Sequence, residues 1–133
     1  MSEKIVPTPS EDTAEFWAAC DDGRFVVQEC EPCGHQRFYP ANVCPECWST
    51  EWTDVELDGD GIVESYTVVH RAPSETLRDE TPYVVALVSM NDDVTVMANV
   101  LADPSDVSVG DPVALEWEVR NGRRLYQFRL DER

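Results

Sequence analysis

The sequence predicts a mainly β chain with one short helix near its start and a metal-stabilised segment behind it. Three observations carry this prediction. Two C-x-x-C pairs hold four of the five cysteines of the 133-residue chain. A helix-start pattern precedes these pairs, and short β-rich runs separated by turn residues follow them. We therefore expect a helical segment over 1–23, a zinc ribbon over 24–50 and a β domain over 51–133.

The segment TPSEDTAEFWAAC, ahead of the cysteine pairs, carries the signals of a short helix. Thr8 fits the N-cap and Pro9 the first helical position, with Glu11 three residues after the cap. Phe16 and Trp17 then contribute to one apolar stripe on a helix of about three turns, which is too short to persist alone in water. We expect this helix to dock on another surface, with Phe16 and Trp17 as candidate contacts for a partner protein.

The two cysteine pairs have the spacing of a metal site. The candidate ligands are Cys30, Cys33, Cys44 and Cys47. Two such knuckles bring four thiolates to the corners of a tetrahedron, about 2.3 Å from a Zn²⁺ ion. Gly34 allows a tight turn after the first pair, and Pro45 stiffens the second pair. Because four protein ligands leave no open coordination position, we expect the metal to stabilise the fold and not to take part in catalysis.

Two alternatives use the same four sulfur atoms. Two disulfides are disfavoured, because the sequence begins without a secretion signal and a cytoplasmic chain keeps its thiols reduced. Iron suits the same thiolates, and spacing does not distinguish it from zinc; we favour zinc because a structural ion needs no redox partner. Cys20 lies outside the spacing and is interpreted as a small buried residue, and His35 as a neighbour of the site.

The chain is strongly acidic, with 27 Asp and Glu against 10 Lys and Arg and a formal net charge of −17. The acids are spread along the sequence and Lys4 is the only lysine, a composition typical of a halophile's surface. Such a surface repels phosphate backbones over about 8 Å at 0.15 M salt, which disfavours nucleic-acid binding. No apolar run is long enough for a membrane span, and we expect a cytoplasmic protein.

The second half of the chain reads as a series of strands. VALEWEV alternates between apolar and polar residues, which predicts a strand with one solvated face, and YVVALV is apolar on both faces, as in a central strand. An Asn-Gly turn separates the last two runs. Five or six antiparallel strands leave unpaired edge strands unless the sheet closes into a barrel or a sandwich. A five-stranded oligonucleotide/oligosaccharide-binding (OB) barrel is the simplest closed arrangement for this number of strands.

The ordered features GRFVVQECEPCGHQRFYP, CPEC, GDGIVESYTVVHRAP, TPYVVALV and VGDPVALEWE together resemble one protein family. Its members join an N-terminal helix, a rubredoxin-like zinc ribbon and a C-terminal OB fold; the family was long catalogued as a domain of unknown function and is often encoded beside thiolases. The resemblance runs from about Phe16 to Leu130 and places the four ribbon cysteines in the metal site. It departs at Trp48, where a glycine is common, and this makes the adjoining turn uncertain.

The resemblance implies a non-catalytic accessory subunit of an acyl-CoA enzyme. The implied partners are thiolases (acetyl-CoA acetyltransferases), condensing enzymes of the 3-hydroxy-3-methylglutaryl-CoA (HMG-CoA) synthase type, and steroid side-chain aldolases or hydratases, with contact to the CoA thioester. Since arginine binds phosphate in a bidentate manner, Arg37, Arg71 and Arg78 are candidate CoA contacts in this acidic chain. The ordinary alternative for each is a solvated arginine or a local ion pair.

The alternative function is a single-stranded nucleic-acid-binding module of zinc ribbon and OB fold. Such a module stacks bases on aromatic side chains in a basic groove. The available aromatic residues are Tyr66, Tyr83, Trp117, Tyr126 and Phe128. Glu64, Glu116 and Glu118 lie among them, so these aromatics are more simply explained as core residues. A stand-alone enzyme is the third alternative, and the sequence offers it no Ser-His-Asp or Cys-His pattern.

Overall fold

The computed structural model describes residues 10–11, 13–71, 81–120 and 122–131. Within these residues it contains helix α1 (Ala14–Asp21), a 3₁₀ turn (Pro104–Asp106) and eight strands. The strands are β1 (Phe25–Cys30), β2 (Gln36–Arg37), β3 (Trp52–Leu57), β4 (Asp60–Val69), β5 (Tyr83–Ser89), β6 (Thr95–Val100), β7 (Pro112–Arg120) and β8 (Arg123–Leu130). No helix among the described residues combines the length and apolar character needed to cross a membrane.

The ribbon is a three-stranded antiparallel sheet in the order β2-β1-β3. β1 and β3 pair along their whole length, from Phe25 opposite Leu57 to Cys30 opposite Trp52. The β3 run lies at the start of the range 51–133 expected for the second module, and its strand pairs with β1 of the ribbon. The physical reason is local: the chain leaves the second cysteine pair next to the end of β1, where the open edge of β1 supplies hydrogen-bonding partners.

The second module is a closed barrel in the order β4-β5-β6-β8-β7, which confirms the predicted five-stranded OB architecture. The β7–β8 hairpin runs from Val113 opposite Leu130 to Arg120 opposite Arg123, at the expected turn. The expectation of purely antiparallel strands was wrong at one place, because β6 and β8 meet in parallel. Closure also needs a glycine, since a β-carbon at Gly61 would lie 2.5 Å from Val88 Cγ1.

Helix α1 packs between the ribbon and the barrel through an aromatic cluster. The ring of Phe16 meets that of Phe25 edge to face at 5.5 Å, and Trp17 stacks on Tyr126 of β8 at 6.0 Å. The indole Nε1 of Trp17 donates a hydrogen bond to the hydroxyl of Tyr39 at 2.8 Å. The helix therefore docks on its own chain, and the aromatic faces join the two modules.

This packing corrects the prediction that Phe16 and Trp17 contact a partner. Phe16 is 4% exposed and Trp17 is 6% exposed, so neither side chain is available at the surface. The start of the helix also differs from the expectation, because α1 begins at Ala14. The predicted cap, Thr8, lies outside the described residues. Cys20 is fully buried on the same helix, as expected.

Candidate metal centre

The four predicted ligands meet at one end of the ribbon. Their sulfur atoms all lie within 4.8 Å of one another. The Sγ atoms of Cys30 and Cys47 are 3.4 Å apart, and those of Cys33 and Cys44 are 3.7 Å apart. Bonds of about 2.3 Å in a tetrahedral site require sulfur separations of about 3.8 Å, whereas a disulfide needs about 2.05 Å. The four thiols are thus free and are positioned to bind one metal ion.

The first knuckle, residues 30–35, holds its two cysteines with a tight backbone turn. The N–H of Gly34 donates to the carbonyl of Cys30 at 2.8 Å, and the N–H of Cys30 donates to the carbonyl of His35 at 2.9 Å. Gly34 has a φ of 77°, in the left-handed region. A residue without a β-carbon adopts this conformation at little cost, so Gly34 suits its place in the turn.

The second knuckle, residues 44–49, repeats this hydrogen-bond pattern. The N–H of Trp48 donates to the carbonyl of Cys44 at 2.9 Å, and the N–H of Cys44 donates to the carbonyl of Ser49 at 2.9 Å. Trp48 therefore occupies the position that Gly34 has in the first knuckle, and its φ is 68°. The turn that the sequence left uncertain is formed in the same way, with a tryptophan in a left-handed conformation.

Backbone N–H groups and burial set the protonation of the cluster. Burial opposes ionisation of Cys44, but the backbone N–H groups of Cys47 and Glu46 donate to its sulfur and lower its pKa to about 6. At Cys33 the N–H of His35 favours the thiolate, yet burial and the neighbouring thiols outweigh it and raise the pKa to about 12. Cys44 therefore favours the thiolate and Cys33 the thiol, so metal binding at this cluster releases protons.

The first knuckle is tied to the barrel by the turn between β5 and β6. The Nδ1 atom of His35 lies 3.6 Å from Oδ1 of Asp93, and the N–H of Gln36 donates to Oδ2 of the same carboxylate at 3.2 Å. The side chain of Asn91 donates to Oε1 of Gln36 at 2.7 Å. His35 thus holds the ribbon against the barrel, and the sulfur cluster is complete without it.

Arg37, predicted as a CoA contact, is instead a buried tie inside the ribbon. It is 5% exposed, its Nε donates to Oε1 of Gln28 at 2.6 Å and its Nη2 donates to the carbonyl of Ala41 at 2.9 Å. The guanidinium lies over the ring of Trp52, 5.0 Å from its centroid. The third nitrogen, Nη1, is buried without a hydrogen-bond partner. Because the guanidinium is buried and two of its nitrogens donate within the ribbon, the structure does not support Arg37 as a CoA contact.

The other two predicted CoA contacts lie elsewhere. Arg71 follows β4, directly after His70, and both residues are exposed. Arg78 lies outside the described residues. The structure therefore does not bring the three arginines together: one is buried in the ribbon and one is at the surface beyond the end of β4. The assignment of Arg71 and Arg78 to CoA remains a prediction.

The aromatic residues considered for base stacking are largely committed to packing. Phe128 is fully buried, and Tyr126 packs against Trp17, with burial raising the pKa of its hydroxyl to about 12. Tyr66 is 37% exposed and lies two residues after the exposed Glu64. A platform for a nucleic acid needs several exposed rings among cations, and these residues do not provide it.

Trp48 differs from the glycine that is common in the family, and its exposure is not predicted from the sequence. The structure places its side chain at the surface, 81% exposed. The sequence does contain a signal for this exposure. The residue directly after the second cysteine of a knuckle has a left-handed backbone conformation, as Gly34 and Trp48 both do. The first knuckle shows where a side chain at this position points: a β-carbon at Gly34 would have no atom within 4 Å.

Comparison with known proteins gives two family matches that follow each other along the chain. Residues 17–53 match the rubredoxin-like zinc ribbon domain of ChsH2, and residues 54–118 match the C-terminal OB-fold domain of ChsH2. Among solved structures, the chain is similar to one described as Ltp2-ChsH2(DUF35) aldolase, with a TM-score of 0.84 and 35% identity. That similarity covers 94% of this chain and 98% of the other.

Curated relatives match most of this chain, and the chain spans only part of their length. A probable enoyl-CoA hydratase alpha subunit of Thermomonospora curvata is 37% identical over 84% of this chain, but the chain spans only 34% of that protein. A DUF35 domain-containing scaffold protein of Methanocaldococcus jannaschii is 32% identical over 61% of this chain, which spans 58% of that protein. The ribbon, the barrel and their order along the chain show that this protein belongs to the DUF35 family, with a ChsH2-type zinc ribbon followed by a ChsH2-type OB fold.

Proposed function

We propose that this chain is a non-catalytic accessory subunit of an acyl-CoA enzyme complex. The observation that carries this proposal is the similarity of nearly the whole chain to the ChsH2(DUF35) aldolase structure. A relative named as a hydratase subunit and others named as scaffold proteins support the same role. The chain would act by presenting a rigid surface to an enzyme and completing or bridging its active site.

The metal centre supports a role without catalysis. Four sulfur atoms within 4.8 Å of one another fill a tetrahedral coordination sphere, so a bound ion has no position left for substrate or activated water. When bound, the ion would supply folding energy to a ribbon of three short strands that has little core of its own. The four cysteines hold the ion, and the knuckles that they fix form a stiff end to the ribbon.

We propose that the ion is Zn²⁺. The match to a zinc ribbon domain and the four-sulfur donor set support zinc, although iron accepts the same donors. Elemental analysis of freshly purified, reduced protein should give one zinc per chain and a colourless solution. A red protein with iron in stoichiometric amount would show that the ion is iron.

We propose that the partner is a thiolase-type enzyme, either an acetyl-CoA acetyltransferase or an HMG-CoA synthase-like protein. The test is co-expression of this chain with the thiolase encoded nearest to it in its genome. In molar salt, which suits a chain of net charge −17, the two proteins should co-elute on size exclusion. Thiolase activity should rise when this chain is added to thiolase expressed alone.

A matched set of enzymes makes this test decisive. An aldolase and an enoyl-CoA hydratase from the same genome are assayed beside the thiolase, because relatives carry these names. Co-elution with one of these instead would keep the accessory role and replace the thiolase as partner. Separate elution from all three enzymes, with unchanged activities, would overturn the proposed function.

Contact with the CoA thioester is the finer part of the proposal. Arg71 is exposed beside the end of the barrel strand β4, where its guanidinium is available to a phosphate. Replacing Arg71 or Arg78 with alanine should raise the KM of the complex for its acyl-CoA and leave complex formation intact. An unchanged KM in both variants would remove CoA contact from the proposal.

A further inference from the structure

The second knuckle exposes an unusually large apolar side chain. Trp48 is 81% exposed, the highest exposed fraction among the large hydrophobic side chains of the described residues. Tryptophan is rarely left in water on a free surface, and it is enriched at the centres of protein interfaces. Its backbone has a φ of 68°, a conformation that side chains with a β-carbon rarely adopt.

The fold alone does not require a tryptophan at this position. The first knuckle makes the same two backbone hydrogen bonds with Gly34 in the equivalent place. A glycine would therefore complete the second knuckle equally well and with less strain. Because Trp48 combines exposure with a strained backbone, its side chain points to a function outside the folded monomer.

The exposed residues near Trp48 in the knuckle and at the end of the ribbon include an apolar residue and several acids. Val43, on the approach to the same knuckle, is 40% exposed, and Glu46 within the knuckle is exposed. Glu31 and Glu51 are exposed and lie together at the end of the ribbon, because the N–H of Glu31 donates to the carbonyl of Glu51 at 3.1 Å. An exposed apolar side chain with acidic residues nearby in the knuckle and at the ribbon end suits a binding hot spot with a polar rim.

The charge of this region defines the partner surface. Glu46 and Glu51 flank Trp48 in the sequence, and no lysine or arginine occurs between Arg37 and Arg71. A complementary surface therefore carries lysine or arginine around an aliphatic pocket, and a cation over the indole face would add a cation–π contact. A second copy of this chain would instead place acids against acids, which opposes association.

We infer that Trp48 is the anchor by which the second knuckle docks on the catalytic subunit, in an aliphatic pocket rimmed by lysine or arginine. This inference rests on the proposed accessory function. It assigns to one named side chain the contact that the helix residues Phe16 and Trp17, buried in the monomer, do not make. The metal then serves the interface directly, since it fixes the turn that presents the indole.

The test measures binding of the thiolase-type enzyme to the metal-loaded chain by calorimetry at one fixed salt concentration. We expect W48G to bind about 30-fold more weakly, or about 2 kcal/mol, the size of a hot-spot contact. W48F, which keeps a ring, should recover most of the affinity. V109S is the matched control, because Val109 is 65% exposed on a barrel turn, and it should bind within about twofold of the unmodified chain.

The outcomes separate this inference from the function on which it rests. If the unmodified chain binds and W48G binds within about twofold of it, the anchor assignment falls and the accessory role stands. If V109S weakens binding as much as W48G does, the loss is not specific to Trp48 and the assignment also falls. If the thiolase-type enzyme does not bind, the same variants are compared with whichever of the aldolase and the hydratase co-elutes with the chain. If the unmodified chain binds none of the three enzymes, both proposals fall. A homodimer that W48G dissociates would replace the enzyme by a second copy and overturn the inference.

A second measurement needs no weakened variant. The chain has four tryptophans, so incorporation of 5-fluorotryptophan gives four fluorine resonances, and W48F identifies the resonance of Trp48. Adding the unlabelled enzyme should move the Trp48 resonance most, because its indole passes from water into a pocket. A Trp48 resonance that stays in place in a formed complex would overturn the inference even if W48G were unstable.

Discussion

The two knuckles of the metal centre form the same backbone turn and place different residues, Gly34 and Trp48, at its left-handed position. Both make the same pair of hydrogen bonds around their cysteines, and both place the residue after the second cysteine at a positive φ, 77° for Gly34 and 68° for Trp48. The left-handed region costs a residue with a β-carbon roughly 1–2 kcal/mol, which glycine avoids. The turn around each cysteine pair therefore requires a residue with a positive φ. Glycine meets this requirement at lower cost, so the requirement does not explain the tryptophan at position 48.

The knuckles also differ in what lies next to them. The first is held to the barrel through Asp93, whose carboxylate accepts from the N–H of Gln36 and lies beside His35. The second carries the exposed Trp48. One knuckle therefore joins the ribbon to the rest of the chain, and the other faces outward. This division suits an accessory protein that needs a fixed base and a free docking end.

The largest effect is expected from removing a ligand, and it should be the same in either knuckle. C33S and C47S each replace one exposed thiol, so neither creates a large cavity. Metal binding energies of about 10–16 kcal/mol in comparable peptides indicate that loss of the ion unfolds a ribbon with little core. Metal analysis and hydrogen exchange should show no bound ion and an unprotected β1 in both variants. Stoichiometric metal in one of them would mean that the knuckles are unequal ligand donors.

A smaller effect is expected from Arg37, which links the two knuckles. It follows the first one, and its guanidinium donates to Gln28 and to the carbonyl of Ala41, on the approach to the second. R37A leaves that buried carbonyl without this donor and empties the space over Trp52, so urea unfolding should show a loss of about 2–3 kcal/mol. R37K keeps the charge but cannot make both bonds, and it should recover less than half of the loss. Full recovery by lysine would show that the two hydrogen bonds contribute little.

The outcome for Arg37 illustrates which features the sequence could predict. Cysteine spacing defined the metal ligands because a knuckle is local, and YVVALV identified a central barrel strand because both of its faces are apolar. Arg37 was different, because its acceptors, a glutamine on β1 and a backbone carbonyl, become its neighbours only when β1 and β2 pair. A single arginine in an acidic chain therefore looked like a surface residue.

The same distinction explains the helix and β3. The apolar stripe of Phe16 and Trp17 predicted a docking helix, but periodicity does not say whether the docked surface belongs to the chain or to a partner. That surface is formed by Phe25 and Tyr126, which lie far apart in sequence. The pairing of β3 with β1 could not be predicted for a related reason, since an alternation of apolar and polar residues is common to strands of both modules.

The next effect in size comes from giving the first knuckle a β-carbon. A methyl group at Gly34 would have no atom within 4 Å, so G34A changes only the backbone preference. We expect a loss of about 1 kcal/mol in the free energy of unfolding, with metal still bound. Alanine must hold the left-handed conformation at a cost of about 1–2 kcal/mol, and its smaller freedom in the unfolded chain offsets about 0.5 kcal/mol of that cost. Chemical unfolding of the metal-loaded protein measures this loss. A variant as stable as the unmodified chain would show that the metal knuckle abolishes the usual cost.

The smallest effect is expected from the reverse change in the second knuckle, W48G, which gives both knuckles a glycine at the left-handed position. W48G removes the left-handed strain, worth about 1–2 kcal/mol, but glycine also gives the unfolded chain more freedom, which offsets about 0.5–1 kcal/mol. Unfolding of the isolated chain should therefore show a gain of about 0.5 kcal/mol. A loss of more than about 1 kcal/mol would mean that the indole packs on its own chain, which its 81% exposure contradicts. If W48G is more stable than the unmodified chain but binds the partner more weakly, Trp48 stabilises the complex and not the monomer. The backbone strain of the free chain is then offset only when the partner covers the indole.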